Sequence, residues 1–200
     1  MGRLDAKEVS GPVRLPLAPS TQYTRNVATA RLHLLSLEEF RHRYAEEKPY
    51  FEYWFGEAVQ KTVPTVLHAL LVKLLLFALD RAGYKSAPEL ELRIDPDWQP
   101  KADVAAWTRI DTPYPTKPVD VVVEVLSPDD RMQRVISKCR NYERIGIPAI
   151  FVMDPEFQDA WEWSGTTQNL ERISSMMLPN GKRIAVEDLW SELERESKND

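Results

Sequence analysis

The chain has 200 residues, of which 43% are hydrophobic and 28% are charged, and its formal net charge is −5. These values are typical of one soluble globular domain that is long enough to bury a substantial core. The single cysteine excludes an intramolecular disulfide and a zinc site with two thiolates. The seven scattered glycines argue against P-loop, Rossmann and α/β-hydrolase sites.

No apolar run suits a signal peptide or a membrane span. The most apolar stretch, Val66 to Leu79, contains His68 and Lys73 and is shorter than the ~20 residues that a spanning helix needs. We therefore expect a cytoplasmic protein that does not bind membranes. Residues 1–34 show no sustained periodicity, which predicts a loosely ordered N-terminal arm before one domain over residues 35–200.

The first half of this domain predicts a helix, a hairpin and a second helix. Ser36 is the expected N-cap of a short helix, and the aromatic segment Tyr50–Lys61, with Gly56 near its middle, predicts a pair of strands. A long helix is predicted from Pro64 to Ala82, because Gly83 is a typical C-terminal stop. Since this helix is apolar on nearly every side, a sheet or a second copy of the chain must cover it, which is compatible with a homodimer.

The second half predicts strands and two further helices. Ser127 is the expected N-cap of a helix that has Pro128 as its first residue and ends at about Ile145. A loop is predicted between the second and third strands, because it contains three prolines. The predicted strands are Glu89–Ile94, Ala102–Trp107, Val119–Leu126, Ala149–Met153 and Ala160–Trp163, and the final helix is Val186–Glu196.

Two carboxylates in apolar strands are the strongest functional signal. Glu124 stands near the end of the run Val119–Leu126, and Asp103 stands in another apolar strand. A buried carboxylate needs a pairing partner, a metal ion or a water-filled cleft, and a core ion pair or an exposed sheet face is the structural alternative. If the two strands are neighbours, Asp103, Glu124 and the main-chain carbonyl of Val125 form an oxygen site for Mg²⁺ or Mn²⁺.

Phosphodiester hydrolysis at such a site also needs a cation near the attacked phosphate. Lys138 is the only lysine in the helix predicted after Glu124, although it fits an ordinary position on the flank of the buried stripe as well. His68 and Glu57 are weaker candidates, because a hydrogen-bonded core histidine and a surface glutamate explain them. The same helix is rich in basic residues, either for a polyanion or as a solvated face: Arg131, Arg134, Lys138, Arg140 and Arg144.

In this order, these residues resemble the Uma-two family of restriction-endonuclease-like proteins, within the PD-(D/E)XK nuclease superfamily. The resemblance extends from Leu35 to about Leu193. Its most specific part is the Val-Glu-Val-Leu-Ser-Pro block, followed by Lys138 and Tyr142 at the family's spacing. The other matching pieces are Leu35–Phe40, Phe51–Glu57, the helix with His68, Ala102–Val104, Val119–Pro128 and Gly146–Pro155.

The resemblance implies an α/β fold with a restriction-endonuclease-like mixed β-sheet flanked by helices. It also implies a Mg²⁺-dependent phosphodiesterase site in which Asp103 and Glu124 are metal ligands and Lys138 is the catalytic lysine, moved from strand to helix. The expected substrate is DNA. Three further residues are candidates for accessory roles: Glu57, His68 and Tyr142.

Three positions depart from the family's pattern. Ala102 replaces the motif proline, while Arg134 and Phe55 each stand where the family has an aspartate. Arg134 and the net charge of −5 favour an alternative hypothesis, a catalytically lapsed member that binds nucleic acid or protein. The leading hypothesis is a metal-dependent endonuclease, because three residues of the correct type occur in the correct order.

Overall fold

The computed structural model of the chain describes residues 34–44, 46–48 and 50–198. The predicted N-terminal arm lies outside these residues apart from Leu34. The helices are α1 (Leu37–Tyr44), α2 (Val66–Arg81), α3 (Met132–Arg144) and α4 (Val186–Ser197). The strands are β1 (Phe51–Trp54), β2 (Glu57–Gln60), β3 (Lys85–Glu91), β4 (Trp98–Gln99), β5 (Lys101–Trp107), β6 (Val121–Val125), β7 (Ala149–Asp154), β8 (Asp159–Ser164), β9 (Asn169–Arg172), β10 (Ser175–Met177) and β11 (Arg183–Ala185).

A mixed sheet of six strands forms the centre of the described part of the chain, in the order β3-β5-β6-β7-β8-β9. Strands β6 and β7 are parallel, and every other neighbouring pair in this sheet is antiparallel. Helix α3 makes the crossover between the two parallel strands, as parallel pairing requires. A smaller sheet, β2-β1-β4, contains the aromatic hairpin. The predicted α/β class with a mixed sheet and flanking helices is confirmed.

Helices cover both faces of the central sheet. Residues of α2 and α4 share one buried cluster with Val121, Val123 and Val125. Residues of α3 share a second cluster with Val122 and Ala105 on the opposite face. Strand β6 is therefore buried on both faces, which explains its nearly continuous valine run. None of the described helices has the length and apolarity that crossing a membrane requires.

The predicted start of α1 is correct, the predicted ends of α2 and α4 lie within two residues of the observed ones, and the predicted start of α3 is wrong. Ser36 and Glu39 form the reciprocal hydrogen bonds of a capping box at α1. At the start of α3, the Asp130 carboxylate accepts a hydrogen bond from the Ser127 N–H at 2.7 Å, and the Asp130 N–H donates to the Ser127 carbonyl at 2.9 Å. These two bonds close a separate turn, so the helix begins only at Met132.

The strand predictions differ from the structure in the bounds of two strands and in the short strands. The first strand is shifted toward the N-terminus, Lys85–Glu91 instead of Glu89–Ile94, and it contains Pro88. Proline is tolerated there because β3 is an edge strand with one unpaired side. The predicted strand Val119–Leu126 is shorter in the structure, Val121–Val125. The short strands β4, β9, β10 and β11 were not predicted, since they have too few residues to show a period.

Removal of a large side chain between α2 and the sheet tests this core. Leu75 is fully buried there, so Leu75→Ala should lower the free energy of unfolding by about 2–5 kcal/mol. Phe77 lies on the same helix but is 55% exposed, so Phe77→Ala should change it by no more than about 0.5 kcal/mol. Urea unfolding followed by circular dichroism measures both, and equal losses would contradict the described packing.

Candidate active site

Asp103 and Glu124 lie side by side on the central sheet. The antiparallel register of β5 and β6 pairs Val104 with Val123, which places Asp103 opposite Glu124 on the face that α3 covers. Both residues are nearly fully buried, with 5% and 6% of their surface exposed. The Asp103 carboxylate also accepts a hydrogen bond from the Val125 N–H at 2.9 Å. Asp103 and Glu124 are therefore neighbours on adjacent strands.

Helix α3 brings two side chains onto the Glu124 carboxylate. Lys138 Nζ donates to Oε2 at 2.8 Å, and the Tyr142 hydroxyl donates to Oε1 at 2.6 Å. The two residues are four apart, so they lie on the same face of the helix one turn from each other. Lys138 is buried rather than on a solvated flank. Both carboxylate oxygens of Glu124 therefore have a donor from one helix.

A third buried acid, Glu52 on β1, completes the surroundings of Lys138. Its Oε1 atom lies 2.8 Å from Lys138 Nζ and also accepts a hydrogen bond from the Lys101 N–H at 2.8 Å. Its Oε2 atom accepts from Trp54 Nε1 at 2.9 Å. The hairpin thus contributes a second carboxylate that binds Lys138 in addition to Glu124. Glu52 was not predicted as a site residue from the sequence.

A second lysine, Lys61, binds Asp103. It directly follows β2, and its Nζ atom lies 2.7 Å from Asp103 Oδ1. The same nitrogen contacts both carboxylate oxygens of Glu89 at 2.8 and 2.9 Å and the Lys101 carbonyl at 3.0 Å. Lys61 was not predicted as a site residue either. Three buried carboxylates and two lysines consequently form one cluster, which we call the carboxylate–lysine cluster: Glu52, Asp103, Glu124, Lys61 and Lys138.

His68 of α2 lies at the edge of this cluster. Its Nε2 atom is 3.9 Å from Asp103 Oδ1, and its Nδ1 atom is 3.2 Å from the Ser127 hydroxyl. His68 and Ser127 are both buried. The histidine therefore links the Asp103 carboxylate to the turn that follows β6. His68 thus lies beside Asp103, and its accessory role stays a prediction.

The cluster shifts the pKa values of its members in different directions. Burial opposes the ionisation of Asp103, but Lys61 and Lys138 outweigh it and hold the pKa of Asp103 at about 2. At Glu124 burial acts against ionisation and raises the pKa above its usual value; the charge of Asp103 adds to this rise, and the Lys138 ammonium opposes it. Burial and the charge of Glu124 raise the pKa of Tyr142 well above its usual value. Tyr142 therefore remains a hydrogen-bond donor at neutral pH.

A narrow cleft of about 50 Å³ leads to the carboxylate–lysine cluster. This volume is enough for a few water molecules or an ion. The hairpin lines one side with Gln60 and Thr62, and α3 lines the other side with Arg134, which is exposed. Within the described part of the chain, the Arg134 guanidinium has no hydrogen-bond or ion-pair partner. The cleft is thus acidic and lysine-rich inside and has a free cation at its mouth.

The comparison with protein families identifies the chain. The model of the Uma2 family, described as "Putative restriction endonuclease", matches residues 37–195. The chain belongs to the Uma2 family. This result confirms the resemblance inferred from the Val-Glu-Val-Leu-Ser-Pro block and the residues that follow it. A search of curated proteins found no match.

One solved structure supports the fold of this Uma2 member. The crystal structure of a "putative nuclease belonging to DUF820" from Anabaena variabilis ATCC 29413 is 19% identical, with a TM-score of 0.66. The match covers 80% of this chain and 99% of that one. A cryo-EM structure of a DrdV–DNA complex is 15% identical with a TM-score of 0.36, and the match covers 63% of this chain and 11% of that one. The Anabaena structure shows that the two chains share a fold.

The side chains of the cluster fit a hard divalent cation in their chemistry, but lysines hold their oxygens. Carboxylate oxygens are the donors that Mg²⁺ and Mn²⁺ prefer. Among the residues described, no three acidic, histidine or cysteine side chains are grouped so that they could hold a metal ion. Asp103 Oδ1 binds Lys61 and Glu124 Oε2 binds Lys138 instead. Metal binding at this site therefore requires a change in these ion pairs.

Glu57 and Glu52 lie on different strands of the hairpin, Glu57 at the turn and Glu52 near the open end. Glu57 pairs with Trp54 at the turn and is exposed, so the structure does not bring it to the cluster. Glu52 could have been found from the alternation of the strand, because it shares a face with the aromatic Trp54, opposite Tyr53. Lys61 gives no such signal, because it lies beyond the strand end and is separated from Asp103 by 42 residues.

These two glutamates provide a matched test of the carboxylate–lysine cluster. Glu52→Gln leaves Lys138 with one buried carboxylate instead of two, so we expect the free energy of unfolding to fall by at least about 2 kcal/mol. The exposed Glu57→Gln variant should stay within about 0.5 kcal/mol of wild type. Urea unfolding measures both variants. Similar small effects would show that Glu52 does not stabilise the cluster.

Proposed function

We propose that this Uma2 protein is a metal-dependent endonuclease that hydrolyses phosphodiester bonds of DNA in the cleft at the carboxylate–lysine cluster. One observation carries the proposal: β5 and β6 place Asp103 beside Glu124, and α3 brings Lys138 Nζ to 2.8 Å from Glu124. An acid, a second acid and a lysine thus converge from strand, strand and helix in a buried cleft. The family's description as a "Putative restriction endonuclease" supports the same reaction class.

In this proposal Asp103, Glu124 and the Val125 carbonyl hold Mg²⁺ or Mn²⁺. When bound, such an ion polarises the phosphodiester and lowers the pKa of an attacking water. The cluster has three buried carboxylates and two lysines, and the partly exposed Glu89 adds a further negative charge at Lys61. This excess of negative charge favours a divalent cation, and it would repel a DNA phosphate in the absence of one.

Lys138 and Tyr142 perform two different tasks in the proposal. The Lys138 ammonium lies between Glu52 and Glu124 and stabilises the negative charge that develops on the attacked phosphate. The Tyr142 hydroxyl holds one oxygen of Glu124 and so orients the carboxylate. Both side chains are held on one buried helix face, so their positions need little reorganisation during the reaction.

Arg134 supplies a contact for the DNA backbone at the mouth of the cleft. A chain of net charge −5 needs local positive charge to bind a polyanion. Arg134 lies one helical turn before Lys138 on the same face of α3, and it is exposed. In this proposal its guanidinium binds a phosphate next to the one that is attacked.

A second candidate function is nucleic-acid binding without cleavage. The observation that favours it is the occupation of Asp103 and Glu124 by lysines. A member that has lost metal binding would keep the stabilising ion pairs and the exposed Arg134. Metal affinity and cleavage together distinguish the two functions, because the binding module needs neither.

Conservative substitutions at the three proposed catalytic residues test the endonuclease. Asp103→Asn, Glu124→Gln and Lys138→Met should each lower the rate of plasmid nicking and oligonucleotide cleavage in Mg²⁺ or Mn²⁺ by at least about a hundredfold. Each variant removes a charge that, in this proposal, contacts the metal ion or the attacked phosphate. Asp129→Asn is the matched control. Asp129 is an exposed acid in the loop between β6 and α3, so its substitution should leave the rate unchanged.

Calorimetric titration of Mn²⁺ completes this test. Wild type should bind Mn²⁺, and the double variant Asp103→Asn/Glu124→Gln should not. Mn²⁺ binding that survives in the double variant would refute the proposed ligands. DNA binding by a wild-type protein that neither binds Mn²⁺ nor cleaves would support the binding module instead.

A further inference from the structure

Lys61 occupies an oxygen cage that resembles the surroundings of a metal ion. Its Nζ atom has four oxygen neighbours within 3.0 Å: Oδ1 of Asp103, both carboxylate oxygens of Glu89 and the main-chain carbonyl of Lys101. Carboxylate and carbonyl oxygens are also the donors of hard divalent cations. The side chain of Lys61 is only 13% exposed, so water contributes little to this cage. The Lys61 ammonium, with a single positive charge, therefore occupies a site whose oxygen donors are of the kind that bind divalent cations.

The backbone around Lys61 holds the lysine in this position. The Lys61 N–H donates a hydrogen bond to the Tyr50 carbonyl at 2.8 Å, which closes the open end of the hairpin. The side chain starts from this fixed point and ends on β3 and β5, which carry Glu89 and Asp103. The other lysine of the cluster does not contact Asp103 in the same way, because Lys138 lies between Glu52 and Glu124. Each proposed metal-ligand carboxylate thus has a lysine of its own.

We infer that Lys61 is a built-in counter-cation that competes with divalent metal ions for Asp103 and thereby sets the metal affinity of the cleft. This inference rests on the proposed function, because it takes Asp103 to be a metal ligand. The ammonium group and a metal ion cannot both bind Asp103 Oδ1 closely, since two cations at that distance repel strongly in a buried site. Metal binding moves Lys61 away from Asp103, and the lysine keeps Glu89 as its partner.

The competition has a consequence for stability as well. With no metal ion, Lys61 compensates the buried Asp103 charge, and removal of one partner of a buried pair is strongly destabilising. A bound divalent cation compensates the same charge, so the loss of Lys61 should matter less in its presence. Metal and lysine are therefore alternative partners for one carboxylate.

Calorimetric Mn²⁺ titration of the full chain tests the inference. Lys61→Met should bind Mn²⁺ at least about tenfold more tightly than wild type, because the competing charge is gone. Lys61→Arg keeps the charge and should stay close to wild type. Lys101→Met is the control for a general loss of positive charge, since the Lys101 ammonium lies over the Tyr50 ring, and it should change the affinity by less than about threefold.

Thermal unfolding with and without Mn²⁺ provides a second measurement. Lys61→Met should unfold at a lower temperature than wild type without metal, and saturating Mn²⁺ should raise its unfolding temperature more than that of wild type. If Lys61→Met does not fold, Lys61→Gln replaces it, because glutamine removes the charge and keeps a hydrogen-bond donor.

The outcomes separate this inference from the proposed function. If Lys61 variants without the charge bind Mn²⁺ no more tightly than wild type, while Asp103→Asn abolishes binding, the competition is refuted and the metal site stands. If Lys101→Met tightens binding as much as Lys61→Met, a specific role of Lys61 is refuted. If no variant binds Mn²⁺, or if binding persists in Lys61→Met/Asp103→Asn, both the inference and the proposed metal ligands are refuted.

Discussion

The ion pair between Glu124 and Lys138 is the interaction on which the site depends. A carboxylate in the middle of a valine strand cannot remain charged without a partner, and the lysine provides it from the helix that follows the same strand. Lys138 then needs further acceptors, which Glu52 and the Lys101 carbonyl supply. One buried charge thus connects β6, α3, the hairpin and β5. The position of each element relative to the others is specified by this polar contact as well as by apolar packing.

The same cluster explains why the small hairpin sheet lies against the central sheet. Strand β1 is anchored by Glu52, and the residue after β2 is anchored by Lys61, so both strands of the hairpin end in charged contacts with β5. These contacts add to the short pairing of β1 with β4, which joins only two residues of each strand. The hairpin in turn keeps water away from Asp103 and Glu124, which strengthens every electrostatic interaction between them.

The sequence predicted those parts of the site that lie within regular elements. Asp103 and Glu124 were recognisable because a carboxylate in an apolar strand is costly, and Lys138 was recognisable because one helix offered only one lysine. Glu52 and Lys61 were not predicted, since their roles depend on how the hairpin docks across the sheet, a contact between distant parts of the chain. At Ser127 the local pattern was ambiguous in a physical sense: the Ser127–Asp130 hydrogen bonds that cap a helix can equally close a turn.

Four buried ionisable groups and the largely buried Lys61 in one cluster are costly for a purely structural role. Well-packed apolar residues of similar volume commonly give equal or greater stability than a buried ion pair, because charges lose their hydration. The cluster also contains more carboxylates than lysines, so ion pairing alone leaves it incompletely compensated. Such an arrangement favours the proposed site, in which the cluster exchanges cations and binds an anionic group. Arg134 fits this explanation, because a cation at the mouth attracts phosphate without competing for the buried acids.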